Sequence, residues 1–332
     1  MRLFEASGYV NMPDLINTKI PFIFIFGGRG IGKTYGALKY IIESKRKFLF
    51  LRRTQSQIDL VGKPEFSPFK TVCADMGVDV IVKPITKYNS GFWMDDELIG
   101  YSAALSTLSN LRGFDASDID LVIFDEFIPE KHERLIRNEG EAFLNMVETV
   151  GRNREIAGRE PLQVVCLANA NDIGNPIFME LNLINIVQRM KLKKQGFYLN
   201  KEKGLLIVNL DDSPISDAKR DTALYKLTSG SDFERMALDN EFIDDSIAEI
   251  KSRNLKEYRP IVAIAGVTIY KHKSDNKYYI SEHKLGSPEE YTTAEAALEK
   301  FRRKYYYLWN AYLNRDIDFE SKLCALLFER LW

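Results

Sequence analysis

Cysteine, histidine and long apolar runs are all scarce in this chain, and each scarcity excludes a class of protein. Three cysteines (Cys73, Cys166 and Cys324) stand far apart without a paired spacing, and three histidines are equally scattered. A disulfide framework and a structural zinc site are therefore not expected. The longest apolar run, Ile20 to Phe26, is about a third of the length that a membrane-spanning helix needs, and the first ten residues lack the pattern of a secretory signal. We therefore expect neither a secreted nor a membrane protein.

A strong net charge is also missing. The 332 residues carry 46 lysines and arginines against 47 aspartates and glutamates, and 45% of the positions are apolar. This composition is typical of a folded globular protein, and the length is sufficient for two domains. Because there is no excess of positive charge, any grip on nucleic acid must be local or must form on assembly.

The chain is predicted to have three parts. Short β-rich runs alternate with helical stretches over residues 1–208, which indicates a layered α/β domain with a largely parallel sheet. Polar residues over 209–230 predict a linker, and 231–332 predict a smaller α+β domain. The strands predicted for the first domain are 21–26, 48–51, 78–82, 120–124, 161–167, 186–190 and 205–208, with an edge hairpin at 91–101. The elements predicted for the second domain are a strand pair, 259–270 and 277–281, and a long helix from 292.

The strongest pattern is a glycine-rich loop between an apolar run and a predicted helix. Its residues match G-x-x-x-x-G-K-[ST] and are Gly27, Gly28, Arg29, Gly30, Ile31, Gly32, Lys33 and Thr34. Glycines let the backbone curl so that successive N–H groups face phosphate oxygens, and the following helix adds its N-terminal partial positive charge. Lys33 is expected to reach the β- and γ-phosphates of ATP, and the Thr34 hydroxyl to bind Mg²⁺. The alternative is a glycine-rich turn without a ligand.

Two adjacent acids, Asp125 and Glu126, end a second apolar run. Ligands of α/β proteins bind at the carboxyl ends of strands, so Asp125 is expected to hold Mg²⁺ and Glu126 to polarise an attacking water. The alternative is a solvated pair at a strand end. An acid next to the metal-binding aspartate favours a hydrolytic motor over a nucleotide switch or a small-molecule kinase.

Two further side chains are candidates for contact with the γ-phosphate. Arg152 follows a predicted helix, where its guanidinium would serve as an arginine finger or would complement the helix dipole. Asn169 follows the strand predicted at 161–167. It would donate to the γ-phosphate or to the attacking water, or would cap the ensuing turn.

In combination, these motifs resemble the genome-packaging ATPase of small tailed phages, the short Bacillus-type podoviruses. The resemblance is specific over about 21–176 and is carried by segments 27–34, 48–53, 124–128, 152–155 and 167–170. It implies a P-loop NTPase domain of the additional-strand, RecA- and terminase-like class, followed by a small α+β domain resembling a degenerate ribonuclease-H-like nuclease. It also implies that Arg152 acts on the nucleotide of a neighbouring subunit and that Asn169 couples the γ-phosphate state to motion.

The function that this resemblance implies is ATP hydrolysis coupled to translocation of double-stranded viral DNA into a preformed procapsid. The implied partners are DNA, the portal or connector, and further copies in a ring, expected to be a pentamer, with a structural RNA as an additional candidate. The implied location is the host cytoplasm, with transient attachment to the procapsid vertex. The rival functions are a P-loop helicase or remodelling ATPase, and an assembly scaffold that binds ATP without driving movement.

The second domain is predicted to bind nucleic acid or the portal and to lack nuclease activity. The candidate first strand, 261–269, carries no acid, whereas a two-metal nuclease needs clustered carboxylates. Cations stand beside tyrosines at 302–307, which suits contact with phosphates and bases. The alternative for this segment is a helix whose tyrosines pack in the core while its cations face water.

Overall fold

The structure, a computed structural model, describes residues 1–111, 116–130, 133–211, 213–242 and 248–332. Its strands are β1 (Phe22–Gly27), β2 (Phe48–Arg52), β3 (Ile81–Pro84), β4 (Ser90–Met94), β5 (Glu97–Ala104), β6 (Leu121–Asp125), β7 (Gln163–Ala168), β8 (Phe197–Asn200), β9 (Leu205–Leu210), β10 (Glu249–Ile250), β11 (Tyr258–Ile264), β12 (Val267–His272), β13 (Tyr278–Ser281), β14 (Glu289–Tyr291) and β15 (Ile317–Phe319). Its helices are α1 (Met12–Ile16), α2 (Lys33–Ser44), α3 (Gln55–Val61), α4 (Lys70–Met76), α5 (Glu139–Gly151), α6 (Pro176–Glu180), α7 (Ile184–Leu192), α8 (Pro214–Arg220), α9 (Ala223–Leu227), α10 (Asp232–Leu238), α11 (Glu295–Leu313) and α12 (Lys322–Glu329). Short 3₁₀ turns lie at Pro64–Phe66, Leu105–Leu111 and Leu255–Glu257.

The chain divides into two compact units, and the division differs from the predicted one. The first unit comprises Met1–Leu181 and Arg189–Ile243, and the second comprises Asn182–Gln188 and Asp244–Trp332. The segment 209–230, predicted as a linker, therefore belongs to the first unit. Its polar composition is misleading because α8 within it packs against the glycine-rich loop, where the Lys219 ammonium donates to the Arg29 carbonyl.

A nine-stranded sheet organises the first unit, in the order β3-β4-β5-β2-β6-β7-β1-β9-β8. Six neighbouring strands of this sheet run parallel, so their carboxyl ends share one edge, and they are β5, β2, β6, β7, β1 and β9. Strand β7 lies between β1, which leads into the glycine-rich loop, and β6, which carries the acids. This intervening strand confirms the predicted P-loop fold of the additional-strand class.

The parallel strands are apolar along their length because both faces of the sheet are covered. Successive side chains of a strand point to opposite faces, and β1 shows this directly. Ile23 and Ile25 join the core formed with α1 and α2, whereas the Phe24 ring packs against Phe127 and Phe178. Packing from both sides fixes the carboxyl end of β1, where the glycine-rich loop begins.

The predicted hairpin is confirmed, but its position at the edge of the sheet is wrong because β3 pairs outside β4, and one predicted strand is also wrong. Strands β4 and β5 pair antiparallel, and both residues of the turn between them, Asp95 and Asp96, have positive φ, as the tight hairpin turn requires. Residues 186–190 were expected to form a strand but lie in α7. Val187 follows the buried Leu183 by four positions and the buried Ile184 by three, and the buried Met190 follows Val187 by three, which is the spacing of one helix face.

The second unit is a small α+β domain, as predicted. Its six-stranded sheet has the order β10-β15-β13-β12-β11-β14, and α11 and α12 contribute Phe301, Leu308 and Phe328 to its core. The run 259–270, predicted as one strand, is two antiparallel strands, because Ala265 and Gly266 turn the chain with positive φ. The likeness to a degenerate nuclease stays a prediction.

Helix α11 buries part of its aromatic segment and exposes the rest. Tyr305 packs in the domain core, whereas Tyr306 is 64% exposed. The Lys304 ammonium and the Tyr305 hydroxyl both bind the Glu289 carboxylate, so one of the cations predicted for nucleic acid has an acidic partner within the domain. No helix in the described part of the chain is both long enough and apolar enough to cross a membrane.

Candidate functional site

A cavity of about 810 Å³ opens at the carboxyl edge of the first sheet. Its walls are the glycine-rich loop after β1, the acids at the end of β6 and the residues that follow β7. Asp125, Glu126 and Asn169 therefore face the same space as Lys33 and Thr34. The fold brings together five side chains that are separated by up to 136 positions in the chain.

Backbone geometry gives the loop its curled form. Gly30 and Gly32 have φ of 67° and 86°, in the left-handed region that favours glycine. Gly32, the residue before α2, has no side chain that could cap the helix, so the amide groups of the first helical turn stay available for a ligand. Such a curled segment at a helix N-terminus is suited to bind an anion.

Lys33 is buried at the centre of the cavity wall. Its ammonium donates to the carbonyl oxygens of Gly27 at 3.0 Å and Gly28 at 2.7 Å, and to Asn169 Oδ1 at 3.1 Å. The pKa of this ammonium is lowered to about 7, chiefly by burial; the negative charge of Asp125 opposes the shift, and the positive charges of Lys219 and Arg29 contribute to it. All three of these described partners are neutral oxygens, and a buried lysine in such surroundings is suited to bind phosphate.

Thr34 and Asp125 form a pair of oxygen donors next to the loop. The Thr34 hydroxyl donates to Asp125 Oδ1 at 2.9 Å, and the aspartate side chain is almost fully buried. Mg²⁺ prefers oxygen ligands and is commonly bound through one or two carboxylates together with substrate phosphates. The donor set thus fits Mg²⁺.

Glu126 lies at the mouth of the cavity on a left-handed backbone, with φ of 57°. Its side chain is 54% exposed. Partial burial nevertheless raises the pKa of this carboxyl, the positive charge of Arg52 lowers it, and the neighbouring Asp125 raises it again. A carboxylate with a raised pKa is closer to the value that a general base needs near neutral pH.

Arg52 is a residue of this site that the sequence analysis missed. Its guanidinium donates to Asp125 Oδ2 at 2.8 Å and also pairs with the Glu126 carboxylate. The register of β2 against β6 pairs Leu51 with Phe124, so Arg52 is level with Asp125. The available signal was a charged residue directly after four buried apolar residues of a strand adjacent to the acids.

Comparison with known proteins identifies the family to which the chain belongs. The model of the family described as Podovirus DNA encapsidation protein (Gp16) matches residues 4–290. The chain belongs to this encapsidation family. The DNA packaging protein of Bacillus phage phi29 is 30% identical over 255 residues, which cover 75% of this chain and 70% of that protein. The DNA packaging protein of Bacillus phage B103 is 28% identical over 319 residues, which cover 90% and 92% of the two chains.

A solved structure extends the similarity to the whole chain. The bacteriophage Phi-29 viral genome packaging motor assembly contains a chain that aligns over 100% of both sequences, with a TM-score of 0.69 and 25% identity. The resemblance predicted from the motifs is thereby confirmed for this member of the encapsidation family.

The segment 152–155, which carries part of the resemblance, includes an arginine with a structural role. Arg154 is buried, and its guanidinium donates to the carbonyl oxygens of Glu160 and Ile119, while Arg159 donates to the Ser117 carbonyl. These contacts fasten the loop after α5 to the segment that enters β6. That segment is at the amino end of β6, whereas the cavity is at the carboxyl end.

Arg152 is exposed and lies apart from the cavity of its own chain. It follows α5, whose first residue, Glu139, pairs with Arg53 just beyond the carboxyl end of β2. The 13 residues of α5 span about 20 Å, which is consistent with α5 ending near the opposite edge of the sheet. The structure therefore brings Lys33, Thr34, Asp125, Glu126 and Asn169 together but does not bring Arg152 to them.

Proposed function

We propose that this chain is the ATP-hydrolysing subunit of a ring motor that drives double-stranded viral DNA into a preformed procapsid. The observation that carries the proposal is the convergence of a phosphate loop and two carboxylates on one cavity, in a member of the encapsidation family. A protein that only bound nucleotide would not need a second carboxylate, Glu126, at the cavity mouth.

ATP would bind with its triphosphate in the curled loop. Phosphate oxygens would replace the Gly27 and Gly28 carbonyls as partners of the Lys33 ammonium, which exchanges neutral acceptors for charged ones. The cavity extends to Tyr9, which packs beside the loop. The adenine ring would stack on this half-exposed tyrosine.

Mg²⁺ would be held by the Thr34 hydroxyl and the Asp125 carboxylate, the residues that fit its preference for oxygen. When bound, the ion neutralises negative charge on the phosphates. Activation of the attacking water would be carried out by side chains of the protein. Glu126 would polarise a water for attack on the γ-phosphate, and Arg52 would orient both carboxylates.

Asn169 would report the state of the γ-phosphate. Its amide oxygen accepts a hydrogen bond from the Lys33 ammonium at 3.1 Å. When Lys33 turns to a triphosphate, this hydrogen bond would weaken, and the loop after β7 would lose one of its ties to the glycine-rich loop. Hydrolysis and phosphate release would restore the tie.

Arg152 would complete the site of a neighbouring copy. Its exposure, and its separation from the cavity of its own chain, support an action in trans rather than in cis. The guanidinium would then stabilise charge that develops on the γ-phosphate. A ring of copies, which we propose to be a pentamer on the portal, gives every cavity one such arginine. DNA would pass through this ring, and a structural RNA is a further candidate partner.

Substitution of Glu126 separates the motor from its rivals. Glu126→Gln is expected to bind ATP and lose turnover, whereas Glu141→Gln, the same change on an exposed helical residue, should keep both. Linear duplex DNA should stimulate ATP turnover by the wild type. Absence of stimulation would favour the assembly scaffold, and unwinding of tailed duplex would favour the helicase.

Mixed assemblies test the action of Arg152 in trans. Neither Arg152→Ala nor Glu126→Gln should hydrolyse ATP alone. In a mixed ring, some interfaces pair an intact Arg152 with an intact Glu126, and these should recover turnover. If no mixing ratio restores activity, the assignment of Arg152 is wrong.

A further inference from the structure

The phosphate loop is bound on its outer side by the segment that follows β9. Both backbone groups of Arg29 have partners in that segment: its N–H donates to the Ala237 carbonyl at 2.8 Å, and its carbonyl accepts from Lys219 Nζ at 2.6 Å. The Arg29 guanidinium also lies over the Phe233 ring, at 5.9 Å from the centroid. This segment was predicted to form a linker and the start of the second domain, so Lys219, Phe233 and Ala237 were not among the candidate site residues.

These two hydrogen bonds fix the orientation of two peptide groups of the loop. The peptide group is planar and trans, so its C=O and N–H point in opposite directions. When Ala237 holds the Arg29 N–H outward, the Gly28 carbonyl must point inward, and it does accept from Lys33 at 2.7 Å. By the same geometry, when Lys219 holds the Arg29 carbonyl outward, the Gly30 N–H points toward the cavity that Gly30 lines.

Lys219 fits closely against the loop and carries a charge that no acid among the described residues compensates. A Cβ added to Gly30 would lie 2.2 Å from Lys219 Nζ, so the ammonium fills the space beside that glycine. Within the described ranges, no carboxylate forms an ion pair with Lys219, and its hydrogen bond is to a neutral carbonyl. Burial lowers the pKa of this ammonium, which is the expected effect for a cation without an anionic neighbour.

We propose that Lys219 is a positioning residue for the polyphosphate chain of a nucleotide: it turns the Gly30 N–H into the cavity and adds a positive charge behind the loop. The inference rests on the proposed function, since it concerns the same nucleotide site. Through Lys219, α8 would contribute indirectly to nucleotide binding, by orienting the Arg29–Gly30 peptide group. Removal of Lys219 frees the Arg29–Gly30 peptide to rotate, and a phosphate then loses both an oriented donor and a favourable charge.

Binding of phosphate compounds tests this role. Lys219→Met should weaken binding of ADP and of inorganic triphosphate by about tenfold each, the effect expected for a lost hydrogen bond of charged type. The matched control is Lys226→Met, which removes the same charge from an exposed position on α9. Steady-state turnover should show a raised KM for ATP with kcat within about twofold of wild type, which a general loss of structure would not produce. An ADP affinity equal to that of Lys226→Met would overturn the inference.

A double-mutant cycle provides an independent measure. Gly30→Ala should weaken ADP binding strongly in the wild type, because the new methyl group displaces Lys219 and the backbone has positive φ. In a Lys219→Ala background, Gly30→Ala should reduce the affinity for ADP by a several-fold smaller factor. If the effects of the two substitutions on ADP affinity were fully additive, the contact between Lys219 and Gly30 would not influence nucleotide binding, which would contradict the inference.

The inference and the proposed function can fail separately. If the wild type binds ATP and Lys33→Ala does not, the nucleotide site stands, and unaltered binding by Lys219→Met would overturn the positioning role alone. A wild type that binds no nucleotide would overturn both.

Discussion

The buried ion pair between Arg53 and Glu139 offers a quantitative test of how the site is held in position. Both side chains are 0% exposed, and two of the bonds join Arg53 to Glu139, at 2.6 Å from Nε and 3.0 Å from Nη2. The guanidinium also donates to Glu133 at 3.1 Å and to the Arg134 carbonyl at 3.2 Å. Arg53 thereby joins the end of β2, next to Arg52, to the start of α5.

Removal of one partner leaves a buried charge without compensation. Arg53→Ala should therefore lower the free energy of unfolding by about 3–5 kcal/mol, the range for breaking a buried pair from one side. The double variant Arg53→Met/Glu139→Leu removes both charges and keeps most of the volume, so it should lose markedly less. Glu133 adds little to this estimate because its side chain is 26% exposed.

Urea unfolding of the three proteins measures these differences, with the midpoint and the slope compared for each variant. The matched control is Arg189→Ala, on an exposed residue of α7, which should change stability by less than about 0.5 kcal/mol. A loss below about 1 kcal/mol for Arg53→Ala would refute the reasoning. A double variant as unstable as the single one would also contradict it.

Three further predictions concern the nucleotide site. Nucleotide binding at pH 8 should be accompanied by the uptake of close to one proton, because the pKa of Lys33 is about 7 without a ligand and a bound phosphate would restore its charge. Calorimetry in buffers of different ionisation enthalpy measures the proton uptake. Lys33→Arg should abolish it. Arg52→Ala should move the acidic limb of the kcat/KM profile for ATP to higher pH. The reason is that Arg52 lowers the pKa of Glu126, and the rate falls as pH drops through that pKa because the base must be ionised; an unmoved limb would argue against Glu126 as the base. Tyr9→Ala should weaken ADP binding by about tenfold while Tyr9→Phe does not, and binding of inorganic triphosphate should be the same for both variants.

Local patterns in the sequence predicted the parts of the site that lie on single segments. The loop residues 27–34 and the acids at 125 and 126 each follow a short apolar run, and strands that are buried on both faces produce such runs directly. Asn169 was predicted near the γ-phosphate because its strand was expected next to that of the acids, and parallel strands that end at the same edge of a sheet bring distant residues together. The predictions for the loop and for the acids depend on backbone geometry that neighbouring residues determine.

Local sequence patterns did not predict the contacts between distant segments of the chain. The pairing of Arg52 with Asp125 depends on the order of strands in the sheet, and the bond of Lys219 to Arg29 depends on how α8 folds back on the loop. The polar composition of 209–230 suggested solvent exposure, yet part of it contacts the phosphate loop. Residues 186–190 were wrongly predicted as a strand because isoleucine and valine favour strands, whereas the three- and four-residue spacing of their buried neighbours required a helix.

In the proposed function, hydrolysis of ATP in this cavity moves DNA. The most direct test supplies the chain, procapsids that carry a portal, and linear duplex DNA, and measures the DNA that becomes protected from nuclease. Wild-type protein should protect DNA when ATP is present and should protect none with a non-hydrolysable analogue. Protection by Glu126→Gln that equals that of the wild type, or protection without ATP, would contradict the account.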